Sequence, residues 1–286
     1  MKKVVLITGT STGLGLSTAI LFAKKGFKVY ASMRNLAKQD LLLDAAKDAN
    51  LKIQIEQLDV TDSSSIERCV GKIMEAEGKI DILVNNAGAG FVRTTEQATE
   101  EEILWVTDVN YHGVVRCSKA VIPHMRKARS GHIINITSVG GLVGQPFNEL
   151  YCAAKFAVEG YTEGLACYLT KPFGIKFSLV EPGGISSDFA KSVMTHVGKT
   201  GGMLEDEYLP ILQKYIGGAQ QRAASGETSI YQTSEEVAEV VLEVAENENP
   251  PLRTRTSKWG NEFCHLKTAG DPDGTKLVND VIERFL

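Results

Sequence analysis

The chain has 286 residues, 43% hydrophobic and 23% charged, with 27 glycines and only 8 prolines; this balance suits a soluble globular protein and excludes collagen-like or low-complexity chains. Its 31 Lys and Arg against 35 Asp and Glu leave a formal charge of −4, too acidic to draw in a nucleic acid backbone. Five scattered cysteines without C-x-x-C spacing and five histidines without H-E-x-x-H spacing indicate neither a disulfide framework nor a metal site, and a reducing, cytoplasmic setting is expected.

The N-terminus opens with two lysines and the apolar run Val4-Val5-Leu6-Ile7, which stops at Thr8-Gly9-Thr10, short of the ~7–15 residues of a signal-peptide core. No later stretch approaches the ~18 apolar residues of a membrane span, so no membrane partner is expected. Residues 3–8 read as the first strand, followed by 28–32, 52–58, 80–84, 132–137 and 176–180, with helical patterns between them. Several of these runs are apolar on successive residues, as strands buried on both faces are. The alternation predicts a doubly wound α/β fold, whose ligands bind beyond the carboxyl ends of the strands.

The first strand runs into Thr8-Gly9-Thr10-Ser11-Thr12-Gly13-Leu14-Gly15 and then an amphipathic helix. Glycines there allow a tight turn and close approach of a pyrophosphate, while free N–H groups and the positive helix end face the anion; a plain strand-to-helix turn would show the same glycines. The second strand ends on Ser32-Met33-Arg34, with no acid to take a ribose 2′-OH. Arg34 therefore reads either as a clamp for a 2′-phosphate, favouring NADP(H) over NAD(H), or as a solvated loop charge. Asp59 follows the third run as an adenine-amine acceptor or a turn residue.

Ser138 follows the fifth run, where its hydroxyl suits either a turn or the task of steadying a developing alkoxide. Tyr151 and Lys155, four apart in a helical stretch, share one face. A fixed ammonium favours the phenolate and brings a phenol with ordinary pKa ~10 toward use as a base, although the same spacing describes any helix-surface pair. Beyond residue 180 a Gly-rich, Met-containing segment to residue 233 surrounds a helical pattern at 204–216, with Leu204, Tyr208, Leu212, Tyr215 and Ile216 on one face. It reads as a mobile lid, with Phe147, Met194, Met203, Leu204, Tyr208 and Leu212 either lining an apolar pocket or simply packing. A helix at 234–246, a short run at 252–256 and a helix or tail at 275–286 complete the chain.

Taken in order, these motifs resemble the short-chain dehydrogenase/reductase family over nearly the whole length. The stretch from Ser138 through Tyr151-Cys152-Ala153-Ala154-Lys155 to Gly160 is most similar to its 17β-hydroxysteroid and retinol dehydrogenase branch. The resemblance implies a Rossmann-type parallel sheet forming one catalytic domain over residues 1–286, with a helical lid at about 184–233. It assigns cofactor binding to Gly9, Ser11, Thr12, Gly13, Leu14 and Gly15, to Arg34, Asp59 and Val60, and to Asn86, Ala87 and Gly88 of the Asn85-Asn86-Ala87-Gly88 motif. It adds Tyr151, Lys155, Pro182, Gly183, Ile185 and Ser187, the last a serine where the family has threonine. By the same resemblance Tyr151 is the general acid/base, Ser138 orients the substrate oxygen, Lys155 holds the nicotinamide ribose and lowers the tyrosine pKa, and Asn110 anchors a water leading from Lys155 to solvent.

The expected activity is NADP(H)-dependent interconversion of an alcohol and its ketone or aldehyde on a hydrophobic small molecule, with NAD(H) as the alternative cofactor and a homodimer or homotetramer as the assembly. A non-catalytic redox sensor on the same fold is the competing reading. An epimerase or dehydratase fits less well, because the glycine spacing and length of those longer relatives differ.

Overall fold

A computed structural model describes residues 2–224 and 231–285. The elements in chain order are β1 (Val4–Thr8), α1 (Gly13–Lys24), β2 (Lys28–Met33), α2 (Asp40–Asp48), β3 (Gln54–Gln57), α3 (Ser63–Glu77), β4 (Ile82–Asn85), α4 (Glu100–Thr107), α5 (Gly113–Ala128) and β5 (Gly131–Ile136). They continue with α6 (Glu149–Phe173), β6 (Ile175–Glu181), β7 (Gly184–Ser186), α7 (Asp188–Lys199), α8 (Leu209–Ala224), β8 (Tyr231–Thr233), α9 (Ser234–Glu246), β9 (Arg253–Arg255), α10 (Lys258–Thr268) and α11 (Thr275–Phe285).

Seven strands form one sheet in the order β3-β2-β1-β4-β5-β6-β9, with every pair parallel. Successive residues of a strand face opposite sides, so a sheet covered by helices on both faces needs apolar residues at every position. In β1, Val4 and Leu6 join the core beneath α3, α5 and α6, while Val5 and Ile7 join the core beneath α1, α2 and α9. Chain order reverses between β1 and β4, which opens a crevice above their carboxyl ends. Thr8 and Asn85 end those two strands.

Local signals place the element ends. Asp62 caps α3 through its bond from Ser64 N, and Gly78 ends that helix at φ 69°. Thr99 with Glu102 and Thr233 with Glu236 form capping boxes on α4 and α9. His132 is a satisfied core histidine: its Nε2 lies 2.9 Å from Ser178 Oγ, and burial pushes its pKa down to about 3.

The segment expected as a lid contains more regular structure than its sequence suggests. Strand β7 pairs parallel with β8, bracketing α7 and α8. The helix expected at 204–216 starts only at Leu209, because Gly201, Gly202 and the acidic run Glu205-Asp206-Glu207 precede it. Leu204 consequently lies exposed in the preceding loop instead of on the helix face, whereas Leu212 is buried. Met194 on α7 is also exposed, which removes it and Leu204 from the expected apolar wall. Helices α7 and α10 were not expected. No helix among the described residues is long and apolar enough to cross a membrane.

Candidate active site

The turn after β1 is shaped by its glycines. Gly9 has φ 71°, and a Cβ there would come within 2.8 Å of Ala87 Cα; one on Gly15 would lie 2.2 Å from Gly9 O and 2.5 Å from Asn86 Nδ2. Asn86 ties the turn to β4 by donating from Nδ2 to the carbonyls of Thr8 and Gly9, at 2.9 and 3.0 Å. Thr8 Oγ1 accepts from the N–H groups of Asn86 and Ala87, each at 3.0 Å. Thr12 precedes α1 without a side-chain cap, and the first turn carries no acid. Its N–H groups and the positive end of the helix dipole therefore suit a pyrophosphate. Ser187 lies across the turn, its Cβ 3.4 Å from where a Gly13 Cβ would stand.

Four further residues converge beyond the ends of β4, β5 and β6. Ser138 accepts from Gly140 N at 3.0 Å and shares a hydrogen bond with Tyr151 on the first turn of α6. Lys155, one turn later, is buried; its Nζ donates to Ile136 O at 2.9 Å and lies 5.7 Å from the Tyr151 ring centroid. Burial pushes its pKa down to about 8, with Glu159 pulling the other way. Asn110 sits, wholly buried, in the π-turn Asp108–His112 between α4 and α5. Its Nδ2 donates to Ala89 O at 2.8 Å and Val106 O at 2.9 Å, and its Oδ1 accepts from Ala89 N at 3.1 Å. Asn110 thereby holds the loop after β4 against the break in the helix. Gly88 keeps that junction open, because a Cβ there would lie 3.0 Å from Asn110 Oδ1 and 3.6 Å from Lys155 Nζ.

The expected lowering of the Tyr151 pKa is not found. Burial drives the phenol above its ordinary value, and the Ser138 hydrogen bond offsets only part of that. Desolvation disfavours the phenolate more strongly than this bond favours it.

The profile of the family described as short chain dehydrogenase matches residues 3–198. The chain belongs to the short-chain dehydrogenase family. Retinol dehydrogenase 8 of Homo sapiens is 36% identical to it, over 96% of this chain and 88% of that protein. The 17-beta-hydroxysteroid dehydrogenase type 1 of Homo sapiens is also 36% identical, over 97% and 84%. A solved actinorhodin polyketide ketoreductase with NADPH superposes with a TM-score of 0.72 at 29% identity, over 85% of this chain and 89% of that one. Membership makes the protein an NAD(P)-dependent oxidoreductase acting on CH–OH groups.

The remaining expected positions of this short-chain dehydrogenase follow the ends of β2, β3 and β6. Arg34 is exposed just past β2, in a loop fastened by Gln57 Nε2 on its carbonyl at 3.2 Å. Asp59 Oδ1 accepts from Thr61 N at 2.9 Å and Thr61 Oγ1 at 2.7 Å, so one oxygen already serves the turn. Val60 is buried against α5, where a Cβ on Gly113 would meet it at 2.9 Å. Pro182 O accepts from Val139 N at 2.9 Å, fixing the Pro182-Gly183 step beside Ser138, and Ile185 follows in β7.

Sequence reasoning passed over two groups. Arg93 and Glu102 form a buried pair at 3.1 Å, and Arg93 also reaches Thr200 O at 2.6 Å, while His196 of α7 stacks on Trp105 at 4.4 Å. Together they dock α7 onto α4. The second group, Glu159 with Glu181 and two arginines, lies under the reaction centre. The continuing four-residue spacing Tyr151, Lys155, Glu159, Glu163 was its only trace in the sequence.

Proposed function

We propose that the protein interconverts a lipophilic alcohol and its ketone or aldehyde with NADP(H) as preferred cofactor and Tyr151 as general acid/base. The observation that carries this reading is the Tyr151 hydroxyl bonded to Ser138, with the Lys155 ammonium beside its ring. When bound, the nicotinamide dinucleotide supplies or accepts the hydride. Its pyrophosphate would lie on the glycine turn, its 2′-phosphate by Arg34 and its nicotinamide ribose by Lys155. During reduction the Tyr151 O–H gives its proton to the substrate oxygen, which the Ser138 hydroxyl orients; oxidation reverses the transfer. Lys155 offsets the charge left on the phenolate, which a buried tyrosine needs more than an exposed one does.

Two observations support a lipophilic substrate. The relatives carry retinol and 17β-hydroxysteroids in their names, and Phe147, four residues before Tyr151, is a buried ring packed 5.7 Å from Tyr215 of α8. The segment 184–233 would act as the lid of a single catalytic domain. Exposed Phe156 and Tyr168 on α6 support a homodimer or homotetramer, and light scattering giving a mass near 31.1 kDa would refute it. The free cysteines support a reducing, cytoplasmic setting.

The test combines separate NADPH and NADH titrations, followed by cofactor fluorescence, with turnover on a panel of retinoids, steroids and simpler carbonyls. NADPH should bind about 10–100-fold more tightly, and Arg34→Ala should remove most of that preference. Tyr151→Phe should abolish turnover while NADPH still binds within about tenfold of wild type; wild-type turnover in that variant refutes the mechanism. Binding without turnover on any substrate would favour the redox sensor.

A further inference from the structure

Behind Lys155 the fold buries the carboxylates of Glu159 and Glu181 against two guanidiniums, with Glu163 partly exposed at the edge. Glu159 lies on α6 one turn beyond Lys155, and Glu181 is the last residue of β6, wholly buried and directly before Pro182. Arg253 and Arg255 come from the neighbouring strand β9, with Glu181 paired in register with Arg255. Arg253 Nε lies 3.1 Å from Glu159 Oε2 and 3.5 Å from Glu181 Oε1, and its Nη2 also meets Glu163. Arg255 Nη1 bonds Glu181 Oε2 at 3.0 Å. The other titratable group facing this cluster is the thiol of Cys264 from α10, with Lys155 above.

Two facts point to a missing proton. Glu159 and Glu181 are both buried and their carboxyl groups face each other, and holding two facing carboxylates ionised out of water is expensive. Glu159 Oε1 and Glu181 Oε1 are also both buried without a completed hydrogen bond, with Arg253 Nε 3.5 Å from Glu181 Oε1 and Thr137 facing Glu159, while the two carboxyl groups meet each other. A single proton between them removes the repulsion of the facing carboxylates and gives both oxygens a partner. The pair also adjoins three segments of the reaction centre. Glu159 stands on the ridge of Tyr151 and Lys155, its Oε1 would lie 3.2 Å from a Cβ on Gly141 in the turn that Ser138 caps, and Glu181 ends the strand leading to Pro182-Gly183.

We infer that Glu159 and Glu181 share one proton and act as a positioning pair, locking the helix of Tyr151 and Lys155 to the strand end that carries Pro182 and Gly183. Neither residue touches substrate. The inference rests on the reaction-centre reading given above, and its test separates the two.

Infrared difference spectra of full-length wild type against Glu159→Gln should show the carbonyl band of a buried protonated carboxylic acid in the wild type only. Absence of that band overturns the shared proton whatever the turnover. Wild-type turnover in Tyr151→Phe would instead overturn the reaction-centre reading and leave the band in place. In kinetics, Glu159→Gln, whose amide N–H replaces the acid O–H, should remain close to wild type. Glu159→Leu, which cannot bridge, should lower kcat by roughly 10–100-fold through misplacement of the reacting groups, with the Kd for NADPH nearly unchanged. A folded Glu159→Leu with wild-type kcat overturns the positioning role, and Glu159→Gln as impaired as Glu159→Leu overturns the bridge. Should Glu159→Leu fail to fold, Glu181→Gln and the double glutamine variant decide. Each single variant leaves two acids against two arginines, whereas the double variant leaves Glu163 alone. Strongly non-additive loss of kcat is expected, and simple additivity overturns the proposal.

Discussion

Replacing Lys155 by Met should make the protein more stable and nearly inactive. The side chain is 4% exposed, and its pKa is pushed from 10.5 down to about 8 by burial, a difference that corresponds to ~3 kcal/mol for keeping the ammonium charged at pH 7. Methionine fills a similar volume without charge. It leaves the Ile136 carbonyl without its 2.9 Å donor, which returns about 1–2 kcal/mol and leaves a net gain of roughly 1–2 kcal/mol. The sign with pH follows from proton counting. Between about pH 8 and pH 10.4 the unfolded chain binds more protons at this lysine than the folded one, so wild-type stability rises with pH there by about 1.4 kcal/mol per pH unit relative to the variant. The advantage of Lys155→Met should therefore be full near neutrality, shrink above pH 8 and reverse before pH 10. Urea unfolding of both proteins without cofactor, followed by circular dichroism at a series of pH values, measures it. A variant less stable at pH 7, or a gap that does not close with rising pH, would refute the reasoning. Turnover should meanwhile fall by on the order of 10²-fold or more.

Three other substitutions probe the frame around the site. Gly15→Ala drives a Cβ to 2.2 Å from Gly9 O, a backbone atom that Asn86 already holds; NADPH binding should be lost in calorimetry, with a lower Tm. Arg93→Met leaves the buried Glu102 carboxylate with its Thr99 cap bond but without its guanidinium and frees the end of α7 at Thr200, which should lower unfolding free energy by about 2–4 kcal/mol in urea. Asn110→Ala leaves the Ala89 N–H and the Ala89 and Val106 carbonyls without their partner, an expected loss of roughly 2–4 kcal/mol, with turnover falling more than NADPH affinity.

The sheet was readable because its signal is local. Val4-Val5-Leu6-Ile7 can be apolar throughout only if both faces are covered, and 234–246 carries its own capping box, so its bounds agree with those of α9. Ser138, Tyr151 and Lys155 were readable as a set because one helical turn and one strand end suffice to bring them together. The bonds of Asn110 to Ala89 and Val106 were not, since they exist only after a π-turn folds over the loop behind β4. Arg93 with Thr200, and Glu159 with Arg253, join residues far apart in sequence, and nothing in their immediate neighbours marks them. The acidic stretch before α8 misled the helical pattern, because Leu204 and Tyr208 kept the spacing of a face that the backbone does not continue. The pKa of Tyr151 was misjudged for a related reason: spacing reveals a nearby ammonium but not how deeply the phenol is buried.

The position of β9 ties completion of the site to the order in which the chain is made. Glu159, Glu163 and Glu181 leave the ribosome well before Arg253 and Arg255, a delay of about 4–14 s at typical synthesis rates. During that interval Glu159 and Glu181 lack the guanidiniums that pair with them, and the helix bearing Tyr151 cannot settle against β6 without burying unpaired carboxyl groups. A nascent chain with Ser138, Tyr151 and Lys155 already translated thus still lacks the ion pairs that seat α6 against β6. Insertion of a three-residue edge strand becomes the step at which synthesis turns into activity.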